Sequence, residues 1–467
     1  MQQSGTYTDL YQLTMAQAYY QNGNGNDTAI FDYFFRKLPF EGGYAIYAGL
    51  EVLLDVLEKL RFQDRDLAYL KKQGFDEQFL EYLEEFRFTG SIYSSREGDT
   101  VFPVRPVLTV EAPLIEAQLI ETLLLNILNY QTLIATKARR MRLIAGDRVL
   151  IDFGMRRAHG PAANHASRAA AIGGFNATSN VLSGMEFGIP VSGTMAHAYV
   201  QSFDEELTAF RKYAQTWPDD CVLLVDTYDT LKSGMPNAIK IAEEMASQGK
   251  QLKGIRLDSG DLAYFAKKAR KMLDAAGFED VKIAASNQLD EYLIRSLLHQ
   301  EAPIDVFGVG TSLVTGQPDA ALDGVYKLAF AHDQPRIKLS ENTAKITLPH
   351  KKQVHRIFDK SSGHAEADVV TIWEEEDICE MHHPFDIHKK MNFENCTNEP
   401  LLQLVMEDGK RTHPPRSLEE ITSYSTERIN MFSGEYRRLE NPHIYKVGLS
   451  KRLNRERDEI IEQNSKK

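Results

Sequence analysis

The sharpest cluster of chemically capable side chains in this chain is Asp258-Ser259-Gly260-Asp261, with Arg256 two residues ahead. Two carboxylates three apart at the end of an apolar run can hold sugar hydroxyls, or a divalent cation through water. A guanidinium beside them can meet a carboxylate or phosphate in a planar fork. The plainer alternative for Asp258 is a cap on the helix that follows. Gly308-Val309-Gly310-Thr311-Ser312 would let backbone N–H groups approach an anion closely, or would simply make a tight turn. Asp152-Phe153-Gly154-Met155-Arg156-Arg157 sets an aromatic ring beside two guanidiniums. A flat anion could stack there, or the ring could be core and the arginines surface. Gly193-Thr194-Met195-Ala196-His197 ends in an imidazole that is either a structural hydrogen-bonder or a nucleophile and phosphoryl acceptor. Asp226 and Asp229 add carboxylates to a further run. Thr8-Asp9-Leu10-Tyr11, taken alone, reads as a capped helix start with a core tyrosine.

These clusters lie at the ends of six short apolar runs, beginning at Arg148, Ile189, Cys221, Lys253, Val281 and Ile304. Helix-like stretches fill most of the gaps. Apolar strand followed by polar end, repeated, is how a parallel α/β barrel presents its chemistry. Flanking segments differ. Ala29 to Phe35 reads as a well-buried strand, and Leu50, Leu53, Leu54 and Leu57 form one helix face. A long helical pattern spans 115–144, with a break expected near Asn129-Tyr130. Beyond the barrel, strands are expected in 353–358, 368–373 and 401–406, and helices in 417–431 and 450–463. Three segments are expected: an α/β segment 1–135, a barrel 136–330, and a C-terminal segment 331–467 that packs on the first and on the barrel.

Composition limits the function classes. The 467 residues suffice for two or three domains, and 43% are hydrophobic. Lysine and arginine number 54 against 66 acids, a net charge of −12, which argues against general nucleic-acid binding. Three cysteines (Cys221, Cys379, Cys396) are too few and scattered for a disulfide framework. With no signal-peptide pattern at Met1 and no run near the ~20 apolar residues of a membrane span, a cytoplasmic protein is expected. The histidines around His382 and His388 lack metal-ligand spacing, so no zinc is expected.

Taken together, the motifs resemble those of the nicotinate phosphoribosyltransferase family. The resemblance runs from Thr8 through Met15 to Gly308–Ser312, and more weakly through Val354–Lys360 and the Pro400 region, most of the chain. Order and spacing of seven motifs carry it. Ala198, where the family often has serine, and His159, where many members have glutamine, are minor departures.

The resemblance implies an irregular type II phosphoribosyltransferase α/β barrel, with an open, sandwich-like α/β domain built from both termini. It implies a ligase-class reaction in which nicotinate and 5-phosphoribosyl 1-diphosphate give nicotinate mononucleotide and diphosphate, coupled to ATP hydrolysis through a phosphorylated histidine. That is the first step of NAD synthesis from nicotinate. His197 matches the histidine. Tyr11 and Phe153 match the rings that sandwich the pyridine, Tyr11 coming from the other subunit of a homodimer. Arg156, Thr194 and Arg256 match positions around the base. Asp226, Asp258 and Asp261 match the ribose side, with Mg²⁺ on Asp258 and Asp261 through water. Gly308, Gly310 and Thr311, with Asn287 nearby, match the 5′-phosphate cradle, and Arg140 a phosphate-serving arginine. Ser179 stands where the nicotinamide-using relative carries an aspartate, which would repel a carboxylate substrate. A nicotinamide phosphoribosyltransferase is therefore the alternative reading. A decarboxylating quinolinate enzyme, a barrel aldolase and a non-catalytic binding protein are disfavoured. The first family is much shorter, no lysine sits at a strand end, and the site residues are all present.

Overall fold

The computed structural model describes residues 4–340, 346–376 and 378–465. The chain divides into two compact units: Lys137–Ala320 forms one, and the segments before and after it form the other.

The 137–320 unit is built on one parallel sheet. Its strand order is Ala177–Thr178, Val149–Asp152, Val306–Val309, Lys282–Ser286, Gly254–Leu257, Val222–Leu224. The strand residues Leu150, Leu223, Ile255, Ile283 and Phe307 are fully buried, as expected of strands covered on both faces. Beyond one edge, Val191 forms a parallel bridge to Thr178. At the other edge, Thr194 Oγ1 donates to the carbonyl of Val222 at 2.5 Å. The segment 191–194 thus ties both edges together, and the sheet closes into an irregular α/β barrel. Between strands run Met235–Ala246, Leu262–Ala275 and Glu291–His299. Asp261 and Asp290 cap the last two by accepting from Tyr264 N and Leu293 N.

The barrel differs from the sequence reading in two places. The run beginning at Ile189 makes only the single bridge, because Pro190 lacks an N–H. A strand not anticipated, Ala177–Thr178, takes its place beside Val149–Asp152; two residues are too short to show a period.

The other unit carries two larger sheets. One is antiparallel, in the order Gln334–Pro335, Gly324–Ala331, Thr28–Phe35, Leu108–Pro113, Ser91–Ser94, Gln403–Glu407, Lys410–Arg411. The other is mixed and is centred on Ala365–Ile372 and Lys352–Asp359. Thr28–Phe35 is flanked on both sides and nearly all buried. Its Asp32 is buried against Lys352 at 2.8 Å and accepts from Thr109 Oγ1 at 2.7 Å. Leu50, Leu53, Leu54 and Leu57 of helix Leu50–Lys59 are fully buried, each contributing about 1.5–3 kcal/mol of transfer free energy. The long helical pattern breaks at Ile120, between Leu114–Leu119 and Glu121–Ala145, not near Asn129. Asn129 stays helical and spends its side chain on Tyr33, whose hydroxyl donates to Oδ1 at 3.0 Å. No helix of the described residues is long and apolar enough to cross a membrane.

Candidate active site

The carboxyl ends of the barrel strands bring the predicted residues together. Strand Gly254–Leu257 projects Arg256, and the guanidinium is bonded on three sides. Nε donates to Ser286 Oγ at 2.9 Å, Nη1 to the Met195 carbonyl at 3.2 Å, and Nη2 to Asp258 Oδ1 at 3.0 Å. It lies 5.7 Å from the centre of the Phe153 ring, so a fixed cation sits beside an aromatic face. Phe153 reaches this place because its strand pairs with Val306–Val309, which carries Gly308. A Cβ at Gly308 would lie 2.3 Å from the Phe153 ring, so glycine there leaves the ring its seat.

Asp258 Oδ1 also accepts from Ser286 Oγ, and Oδ2 is 3.7 Å from His197 Nε2. Burial pushes the Asp258 carboxyl up. The Ser286 hydroxyl, the Arg256 guanidinium and His197 outweigh it and hold the acid below its usual range. His197 opens the short helix His197–Gln201, and its Nδ1 is 3.1 Å from Thr227 Oγ1. Asp226 supports the same corner. Its Oδ2 accepts from Asp258 N and Ser259 Oγ, both at 2.7 Å, and its Oδ1 is buried without a partner among the described residues.

The remaining predicted residues fall around this centre or apart from it. Ser179 follows strand Ala177–Thr178 and donates its N–H to the Asp152 carbonyl at 2.8 Å, one residue before Phe153. Gly310 and Thr311 turn from strand Val306–Val309 into the short helix Thr311–Val314. Asn287 follows strand Lys282–Ser286 with φ +81°, a strained setting typical of functional loops. Asp261 is the helix cap, so the capping role falls to it and not to Asp258. Arg156 is exposed on the turn Met155–Arg157. Arg140 is buried, with Nε donating to Glu291 Oε1 at 3.0 Å and Nη2 to the Tyr292 hydroxyl at 3.3 Å. Tyr11 lies in the other unit, on helix Leu10–Gln21, and is 49% exposed. It is therefore not a core tyrosine: the buried face of that helix is Gln12, Leu13 and Ala16.

Three residues matter here for which the sequence suggests no role of their own. Ser286 bonds both Arg256 and Asp258, and Thr227 holds His197. Asp152 accepts from Gly154 N, Ser167 Oγ and Thr178 Oγ1 at 2.8, 2.7 and 2.8 Å, fixing the turn that presents Phe153. Each is a polar residue ending an apolar run, the one signal available for it.

The family resemblance implies a cation beside Asp258 and Asp261. Hard carboxylate oxygens of the kind such a cation takes are present on Asp226, Asp258 and Asp261; Asp226 Oδ1 is buried and unpaired, while Asp261 Oδ1 is already spent on the Tyr264 N–H. Among the described residues no group of three or more His, Cys, Asp or Glu is arranged around a common point, these three carboxylates included.

Comparison with known proteins places the chain in a family. Models of the nicotinate phosphoribosyltransferase N-terminal domain, family and C-terminal domain match residues 6–129, 149–362 and 351–457. The Bacillus subtilis nicotinate phosphoribosyltransferase is 49% identical, over 95% of this chain and 92% of its own. The Bos taurus one is 35% identical, over 96% and 94%. The crystal structure of human nicotinic acid phosphoribosyltransferase superposes with a TM-score of 0.88 at 32% identity, covering 97% of this chain and 99% of that one. The Pyrococcus furiosus nicotinate-nucleotide pyrophosphorylase shares the fold, with a TM-score of 0.72 at 24% identity. The barrel and its polar strand ends thus define a type II phosphoribosyltransferase. Within that class, the chain belongs to the nicotinate phosphoribosyltransferase family.

Proposed function

We propose that this chain joins nicotinate to 5-phosphoribosyl 1-diphosphate, releasing diphosphate and nicotinate mononucleotide, with ATP hydrolysis coupled through phosphorylated His197. The observation that carries the reading is Arg256, locked by Ser286, Met195 and Asp258 beside the open face of Phe153. A flat monoanion stacks on that ring and meets a cation that need not reorganise. The pyridine nitrogen attacks the anomeric carbon as diphosphate departs. Positive charge grows on the ribose ring, and the ionised Asp258, with Asp226 behind it, stabilises it. Asp258, Asp261 and Asp226 are the residues that would hold Mg²⁺. When bound it supplies charge neutralisation of the diphosphate. Gly308, Gly310, Thr311 and Asn287 bind the 5′-phosphate, and Arg140 serves the phosphates from its place on Glu291. Arg156, Thr194 and Ser179 line the base side, where the uncharged Ser179 admits a carboxylate. His197, its Nδ1 held by Thr227, accepts the ATP phosphoryl group. The added charge next to Asp258 and Arg256 reorders the site until water releases phosphate.

The protein acts as a homodimer, the partner subunit's Tyr11 closing the stack over Phe153. Exposed apolar side chains support this: Leu10 and Tyr11 at 64% and 49%, and Val181 and Met185 at 70% and 77%.

Formation of mononucleotide from labelled nicotinate, phosphoribosyl diphosphate and Mg²⁺ tests the reading, with and without ATP and with nicotinamide in parallel. Nicotinate turnover stimulated by ATP is expected, with little from nicotinamide, and His197→Ala keeps basal turnover but loses the stimulation. Preferred nicotinamide use overturns the assignment of Ser179, and ATP stimulation retained in His197→Ala removes His197 from the coupling. A monomer of full activity by light scattering contradicts the shared site.

A further inference from the structure

A second cavity lies wholly in the unit formed by the chain's two ends. It lies between the loop 383–391, the segment 442–447 and residues 102–104, half open to solvent, with a volume of about 660 Å³, the size of a small-molecule site. Its floor is apolar and aromatic: Phe102, Met381, Met391 and Tyr445. Phe102 and Tyr445 stack with ring centres 4.0 Å apart, and the Tyr445 hydroxyl is spent on Asp368, facing away from any ligand's needs.

The ionisable groups of the lining are all of one sign. His383, His388, Lys389, Lys390, His443 and Lys446 border the cavity, and no aspartate or glutamate does. Acids outnumber bases 66 to 54 in the chain as a whole, so this is a local reversal of the protein's charge. Lys389 is offset by Asp386 at 3.2 Å. Lys390 and Lys446 have no acidic partner among the described residues; Lys446 Nζ donates to Met391 Sδ at 3.7 Å. His383 Nδ1 accepts from the N–H groups of Phe385 and Asp386, at 3.2 and 3.0 Å. That fixes the proton of the neutral ring on Nε2 and leaves it a donor.

We propose that this cavity binds a small amphiphilic anion, a flat apolar or aromatic body carrying one or two negative charges. The exposed side chains of Phe385 and Ile444, above the buried floor of Phe102 and Tyr445, take the body, and Lys390, Lys446 and the His383 donor take the charge. Nothing in the strand-end site supplies its residues, so the binding is independent of the reaction assigned above.

A matched pair of dyes tests it on the full-length protein: anilinonaphthalenesulfonate, and phenylnaphthylamine, which has the same ring body without the sulfonate. The sulfonated dye is expected to bind at one site per chain, with fluorescence enhancement, more tightly than the uncharged one. Reversing both free lysines (Lys390→Glu with Lys446→Glu) is expected to weaken it about tenfold, ~1.4 kcal/mol, and to leave the uncharged dye unchanged. Both positions are exposed, so the variant keeps its fold, which its far-ultraviolet circular dichroism and mononucleotide formation report. Equal affinity for the two dyes, sulfonate binding unmoved by the reversal, or no dye binding at all overturns the proposal.

Discussion

Two clusters of arginine and aspartate in this molecule use the same residue types to opposite ends. In the unit formed by the chain's two ends, Arg356 grips Asp368 with Nε and Nη2 at 2.9 and 3.0 Å and reaches Asp99 with Nη1 at 2.9 Å. Arg428 Nε adds a bond to Asp99 at 2.8 Å, and Arg105 Nε lies 2.8 Å from Asp368. Every one of these side chains is at most 4% exposed. At the barrel's strand ends, Arg256 and Asp258 are 16% and 25% exposed, and His197 is 38% exposed. The first cluster is closed on itself and the second is left open on one side. A buried network is costly to break because the surviving partner has no water to turn to. A half-open one is cheaper to break, and its unspent charge is available to a substrate.

The largest effect comes from crossing the two clusters. Asp368→Asn leaves Arg356 and Arg105 without their carboxylate and is expected to cost about 3–5 kcal/mol of unfolding free energy. Asp258→Asn is expected to cost about 1 kcal/mol or less, while mononucleotide formation falls about 10²–10³-fold. Urea unfolding and steady-state kinetics on both variants read this out. If Asp258→Asn destabilises as much as Asp368→Asn, the strand-end cluster is structural and the contrast fails.

Ser179→Asp sharpens the open side alone. A like charge facing the substrate carboxylate is expected to cost about 2 kcal/mol, a roughly thirty-fold loss in nicotinate kcat/KM, with nicotinamide spared. A uniform loss for both substrates would remove Ser179 from the base pocket.

Proton titration sharpens the closed side. Burial pushes the Asp99 carboxyl up, but Arg356, Arg428 and Arg105 prevail and bring it down to about 2. A depressed acid stabilises fully above its unfolded value, ~3.9, and that stabilisation is lost as pH falls through about 2. The network is therefore expected to lose about 2 kcal/mol across that interval. Asp99→Asn should lower stability at pH 7 and lose that deficit towards pH 2. A deficit independent of pH would mean that Asp99 acts by shape and not by charge.

The two clusters were not equally legible in the sequence. The strand-end residues follow a local rule, an apolar run closed by a polar group, and five of the six runs are strands with their clusters at one end of one sheet. Arg256, Asp258, Phe153 and Gly308 were found that way. Ser286 ends the run beginning at Val281 but reads as an ordinary strand terminus. Only the parallel register, Ala285 beside Leu257, sets it next to Asp258. The buried network has no local signature at all. Asp99 and Arg356 stand 257 residues apart, and each alone resembles a surface charge. Burial is decided by sheet pairing at long range, which periodicity does not carry.

The smallest effect decides what Asp261 is for. Its carboxylate accepts from Tyr264 N at 3.0 Å and caps helix Leu262–Ala275. That is a complete structural reason for an acid at this position. Asparagine caps a helix as well as aspartate does, so Asp261→Asn keeps the hydrogen bond and removes only the charge. Asp261→Ala removes both and is expected to cost about 1 kcal/mol of stability. If Asp261 faces the cation, Asp261→Asn holds its unfolding midpoint yet needs several-fold more Mg²⁺ for half-maximal turnover, a dependence a cap alone cannot produce. If the Mg²⁺ requirement is unchanged in Asp261→Asn, the residue belongs with the closed cluster in kind, spent within the fold, and Asp226 and Asp258 are left as the open carboxylates.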